Sequence, residues 1–159
     1  MKTDMKKYKT KIEIILSPVW YRDPPLISIK FSKDFFSKEY LEKQKKYIFE
    51  KELSAGEYEL NIDFLNKKNT DTVGKNDKAL KIDKIILNGI SSDKFVWEGV
   101  YEPTYPRPWA DEQKLLGKKL DKFIKPATYI GWNGQWKLIY SVPLFSWIHK
   151  IENLGWIYD

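Results

Sequence analysis

From position 57 to position 66 apolar and polar residues alternate: Tyr58, Leu60, Ile62 and Phe64 fall on one face, Glu57, Glu59, Asn61 and Asp63 on the other. A period of two is that of a β-strand with one face buried and one in water. The same period runs through Ile27, Ile29 and Phe31 around Ser28 and Lys30, and more loosely through Tyr47, Phe49 and Leu53. It returns at 135–142, where Trp136, Leu138, Tyr140 and Val142 share a face, and further strands are predicted over 11–16 and 80–87. Short strands separated by turns predict an all-β fold, an antiparallel sandwich of jelly-roll type. The 159 residues suffice for one domain spanning 1–159 and are too few for two comfortable ones.

Two helices interrupt this pattern. Asp111 stands as the cap of a segment in which Leu116, Leu120, Phe123 and Ile124 share a face, with Gly117 in its interior. Pro143 suits the first position of a short C-terminal helix, since Leu144, Trp147, Ile148 and Ile151 then fall at i, i+3, i+4 and i+7, and Asn153 and Gly155 supply a stop. Between positions 102 and 109 three prolines remove amide donors and push their neighbours toward extended backbone, so neither strand nor helix is predicted there. Trp136, Trp147 and Ile148 belong to the core by periodicity. Tyr101, Tyr105 and Trp109 follow no period, and are read as the exposed ligand-binding surface of a stiff loop.

Composition sharpens this. Aromatic residues make up 16% of the chain, with 7 Trp and 10 Tyr, residue types that often lie half-exposed at binding surfaces. Pyranose rings lay C–H groups against such faces, which points to glycans. The net charge is +6, yet the 28 basic residues include only Arg22 and Arg107, and this scarcity of bidentate forks argues against nucleic-acid readout. Catalysis has little to stand on, with no Cys and a single histidine, His149. Glu98, Glu102 and Asp111 are the only acidic set considered for glycoside hydrolysis, and no catalytic residue is assigned. Ile14, Ile15 and Leu16 form too short an apolar run for a signal peptide and nothing approaches a membrane span, so the expectation is cytoplasmic synthesis without a signal peptide, no membrane partner, and a protein kept in the cytoplasm or packaged into a virion assembled there.

The polar loop 66–79 carries the remaining chemistry. Oxygen donors at Asn66, Asp71, Asn76 and Asp77, with Asp83 in the next strand, are the hard ligands that Ca²⁺ prefers; Asn, Asp and Gly are also the residues that turn well in a hairpin loop. The run from Gly56 to Gly89 resembles the calcium-dependent xylan-binding carbohydrate-binding modules, β-sandwiches with an Asn-Asp pair at one strand end and an Asp-Arg-Asn-Leu-x-Val-Asp-Tyr run closing on Asn-Gly. Asn66 matches the first Asn, Asp77 the first Asp of the second run, Leu80 its Leu, Asp83 its later Asp, and Asn88-Gly89 the closing turn. The resemblance implies a bound Ca²⁺ and a sugar whose hydroxyls complete its coordination. Asn66, Asp71, Asp77 and Asp83 are the expected metal ligands. Lys67 stands where the family has Asp, and Lys78 and Ala79 where it has Arg and Asn. An ammonium group at Lys67 in the midst of those oxygens would take the metal's place.

The sequence is therefore read as a non-catalytic glycan-binding module. The alternative is a structural subunit, such as a phage capsid-decoration or tail protein, that uses the same sandwich to bind protein subunits or its own copies. The C-terminal rings Trp156 and Tyr158 pack back over the sheet or dock on a neighbour.

Overall fold

The computed structural model describes residues 6–31 and 35–152. Among the described residues ten strands form two sheets, and every pairing between them is antiparallel. In one sheet β4 (Lys45–Ser54), β1 (Lys7–Val19), β6 (Ala79–Leu87) and β7 (Ile90–Ser91) lie in that order, with β9 (Tyr129–Ile130) also on β6. The other runs β3 (Phe35–Tyr40), β2 (Leu26–Phe31), β5 (Gly56–Phe64), β10 (Gly134–Val142), β8 (Val100–Pro103). The chain is an antiparallel all-β sandwich with a short C-terminal helix, as its alternation predicts.

The inward faces follow the period of two. Ile12, Ile14 and Leu16 of β1, Ile27, Ile29 and Phe31 of β2, Leu60, Ile62 and Phe64 of β5, and Trp136, Leu138, Tyr140 and Val142 of β10 are all buried in one core between the sheets. Phe31 of one sheet stacks on Phe49 of the other at 5.0 Å between ring centroids. The interior is so full beside Trp136 that a Cβ on Gly99 would lie 1.9 Å from the indole.

Helix α1 (Asp93–Trp97) begins at Ser92, whose hydroxyl accepts from the Lys94 amide. Helix α3 (Leu144–Glu152) buries Leu144, Trp147 and Ile148, the stripe its spacing predicts. The expected stop at Asn153 and Gly155, and the terminal rings Trp156 and Tyr158, lie outside the described residues.

Two expectations fail. The helix expected from Asp111 to Ile124 is α2 (Trp109–Leu115), starting earlier and ending before Gly117, which adopts φ +76. Its supposed apolar face does not form, for Leu116 and Phe123 are exposed, while Ile124 packs against the core from a bridge with Tyr101 and not from a helix. The segment 102–109 is not loop throughout either, because Glu102 and Pro103 end strand β8. Proline is tolerated there since β8 is the last strand of its sheet and Pro103 its last residue.

Trp147 packs on Phe95 at 6.0 Å and is nearly inaccessible. Trp147→Ala is expected to cost about 3–5 kcal/mol of folding, read by denaturant unfolding. A loss below about 1 kcal/mol would show that α3 is not part of the core.

Candidate functional site

The strand register gathers one set of chain ends. Val19 at the end of β1 pairs with Ala79 at the start of β6, and Ile130 at the end of β9 with Leu80. In the facing sheet Gly134 at the start of β10 pairs with both Phe64 at the end of β5 and Pro103 at the end of β8. The loops 20–25, 65–78, 104–128 and 131–133 therefore emerge at the same end of the sandwich.

Three rings meet there. Trp109 and Trp132 lie 4.9 Å apart at 36°, Tyr105 and Trp109 6.1 Å apart at 37°, and Tyr105 and Trp132 6.4 Å apart in an edge contact. All three are half-buried. Trp132 is the wall between two concavities, one of about 130 Å³ bordered by Lys68, Thr104, Tyr105 and Asn133, the other of about 400 Å³ bordered by Thr72, Trp109 and Glu112. Apolar faces flanked by a few polar groups are the composition of a small-ligand site.

The loop carrying Trp132 is held at every residue. The Asn133 side chain accepts from the Lys67 amide at 2.7 Å and donates to the Lys67 carbonyl at 3.0 Å. The Asn133 carbonyl accepts from the Thr104 amide at 2.6 Å. The Tyr101 hydroxyl donates to the Trp132 carbonyl and accepts from its amide. Gly134 has φ +152, and a Cβ there would lie 2.3 Å from the Glu102 carbonyl oxygen, so the chain turns into β10 only with glycine.

Tyr101 thus corrects the expectation that it is an exposed ligand-binding ring. It is 2% exposed, because it sits on the inward face of β8 opposite Trp136. Burial pushes its phenol well above the ordinary tyrosine value, the bond it accepts from the Trp132 amide notwithstanding. Its work is to position Trp132. Trp132 receives no role in the site from the sequence analysis; the signal for one is its place between Gly131 and Gly134, where backbones can approach closely.

The four expected metal ligands do not come together. Asn66 is spent on the 20–25 loop, accepting from the Leu26 amide at 2.7 Å and donating to the Pro24 carbonyl at 3.0 Å. Asp71 accepts from the Lys68 amide at 2.7 Å and pairs with the Lys78 ammonium at 3.2 Å. Asp77 accepts from Lys67 Nζ at 2.7 Å, from the Thr72 hydroxyl at 2.6 Å and from the Tyr129 hydroxyl. Asp83 lies exposed along β6, bonded to the Ser17 hydroxyl and, at 3.1 Å, to Gln44. Among the described residues no three His, Cys, Asp or Glu side chains are grouped to hold a metal ion. A divalent cation does not fit this set, because lysine ammonium groups already occupy the carboxylates of the loop.

Of the acidic residues weighed for hydrolysis, Glu98 pairs with Lys125 at 3.3 Å and Asp111 with Arg107 at 3.2 Å. Glu102 is exposed on β8.

Burial raises the Asp77 carboxyl, but the bonds from Lys67, Thr72, Tyr129 and the Lys78 amide outweigh it, and the group lies below the ordinary aspartate value. The Lys78 hydrogen bond likewise lowers Asp23. A depressed folded-state value means stability that is fully present above the unfolded value near ~4 and lost as pH falls through the folded one. Asp77→Asn should therefore melt lower than the parent at neutral pH, with the gap closing as pH falls below about 4. Melting curves from neutral to strongly acid pH test this, and a gap that persists undiminished in acid overturns it.

In fold the chain is similar to the selenomethionine form of vCBM60, described in a study of circular permutation linking two families of calcium-dependent carbohydrate binding modules. The match has a TM-score of 0.51 at 12% identity, over 81% of this chain and 89% of that one. A second solved structure, vCBM60 in complex with galactobiose, matches with a TM-score of 0.47 at 11% identity over 80% and 96% of the two chains. No protein-family model and no curated protein matches the chain. What the chain shares with the first of these is its fold, an antiparallel β-sandwich.

Proposed function

We propose that the protein binds a glycan, without cleaving it, on the ring cluster Tyr105, Trp109 and Trp132. The observation that carries this reading is Trp132, a half-buried indole with a concavity to each side and a backbone held by Tyr101, Asn133 and Thr104. Pyranose faces are weakly hydrophobic, and rings fixed before binding lose little conformational entropy when a sugar settles on them. The mutual tilt of the rings makes an angled wall, which suits the puckered, turning faces of successive sugars better than a flat crystalline surface. Thr72, Thr104, Lys68 and Glu112 border the two concavities and supply hydrogen-bonding groups for hydroxyls. Membership of the same fold as a carbohydrate-binding module supports the class of ligand. Nothing in this account needs a metal.

Binding to an array of plant, animal and microbial polysaccharides, followed by calorimetry on the hits, tests the proposal. Trp109→Ala and Trp132→Ala should each weaken binding by about 1–3 kcal/mol. Trp97→Ala, an exposed indole on α1, should leave it unchanged. Incubation with any polysaccharide bound should release no reducing ends. Absence of every glycan ligand, or equal affinity in all three variants, sinks the reading.

A further inference from the structure

Lys78 is the most deeply buried charged side chain in the loop region, 2% exposed. Its Nζ has three oxygens around it: Asp23 Oδ2 at 2.9 Å, Asp71 Oδ2 at 3.2 Å and the Asn66 carbonyl at 3.3 Å. An ammonium group has three protons, so three oxygens match its capacity. Lys67, 5% exposed, is enclosed in the same manner. Its Nζ donates to Asp77 Oδ1 at 2.7 Å and to the Gly131 carbonyl at 2.6 Å, and the face of Trp132 lies 4.7 Å from it. Carboxylates joined by backbone carbonyls are a donor set that a hard divalent cation takes. Here each carboxylate meets a cation that the chain itself provides.

We propose that Lys67 and Lys78 together replace a bound divalent cation, so that the loops at this end of the sandwich are held, and Trp132 is presented, without calcium. Lys78 joins the 20–25 loop, through Asp23, to Asn66 and Asp71 of its own 65–78 loop, and Lys67 joins the 65–78 loop to Gly131 beside Trp132. Bridging of separate loops is the structural service a metal performs, and two fixed charges perform it here. Entry of a true divalent ion is opposed directly. Calcium touching the Asp71 oxygen that Lys78 binds, at about 2.3–2.6 Å, would stand no more than about 6 Å from the Lys78 nitrogen, with like charges facing where both side chains are buried. The proposal concerns how the loops are held and stands apart from the identity of any sugar.

Melting curves and calorimetric titration with calcium chloride, on the unmodified protein, decide it. The melting temperature should be the same in excess chelator and in roughly 10 mM calcium, above the dissociation constants of about 10⁻⁴–10⁻³ M of weak extracellular calcium modules. No saturable heat should accompany the titration. A rise of several degrees with calcium, or a saturable isotherm, overturns the proposal. Lys78→Gln keeps length and loses charge, and should lower the melting temperature in chelator by about 6 °C or more. If it melts as the parent does, Lys78 is not holding the loops and the proposal fails. Lys67→Gln, should Lys78→Gln not fold, serves the same end: its melting temperature should fall and its tryptophan emission should shift as Trp132 loses the ammonium over its face. No change in either would remove Lys67 from the proposal and with it the two-cation replacement.

Discussion

A charged ammonium group taken out of water must meet anions and hydrogen-bond acceptors or the fold does not form around it. At the loop end of this sandwich that requirement governs the rest. Lys78 leaves the 65–78 loop pointing into protein, and the oxygens it needs are on Asp23, Asn66 and Asp71, so the 20–25 and 65–78 loops must close over it. Asn66 strengthens the same closure by bonding the Leu26 amide and the Pro24 carbonyl. Once the 65–78 loop is fixed, the Lys67 backbone is in place to be clamped by Asn133, and the Lys67 side chain to bond Gly131. Trp132 lies between those two anchors. The ring cluster is thus downstream of a buried charge several residues and two loops away.

Sheets and loops differ in how much of them can be read from residue order. Strands β1, β2, β5 and β10 declare themselves because a sheet with one wet face imposes a period of two, and the buried residues at 12, 14, 16, 27, 29, 31, 60, 62, 64, 136 and 138 obey it. The two-residue strands β7 and β9 cannot show any period, being too short for one. Strand β8 does alternate, with Tyr101 and Pro103 inward and Glu102 outward, but three nearby prolines mask it, since proline ends an interior strand and is tolerated on an edge. That single misreading moved Tyr101 from the interior to the surface. The segment after Asp111 errs in the opposite direction: apolar residues at helical spacing are there, but no surface waits to cover them, and Gly117 turns the chain away.

The ligand set was legible as chemistry and not as geometry. Asn66, Asp71 and Asp77 do lie in one loop region, yet which atom each oxygen faces depends on where the Lys67 and Lys78 side chains end, and residue order does not show that. Asp83 shows the limit most simply. It follows Asp77 by six residues, but it stands on the water-facing side of β6, since its neighbour Ile82 is buried, and alternation sends it away from the core.

The proposed substitution of fixed cations for a metal would have a chemical consequence for recognition. A calcium ion accepts six to eight oxygens and can leave some of those positions to a ligand. An ammonium group has three protons, and those of Lys78 face three protein oxygens while Lys67 is enclosed by a carboxylate, a carbonyl and an indole face. Neither retains a direction in which to hold a sugar hydroxyl. A loop end organised in this way would not recognise the proposed ligand through its cations, and the contact would pass to what those cations position. Trp132, with Trp109 and Tyr105 packed against it, is the group so positioned, and its affinity would then follow ring contact and not the calcium concentration of its surroundings.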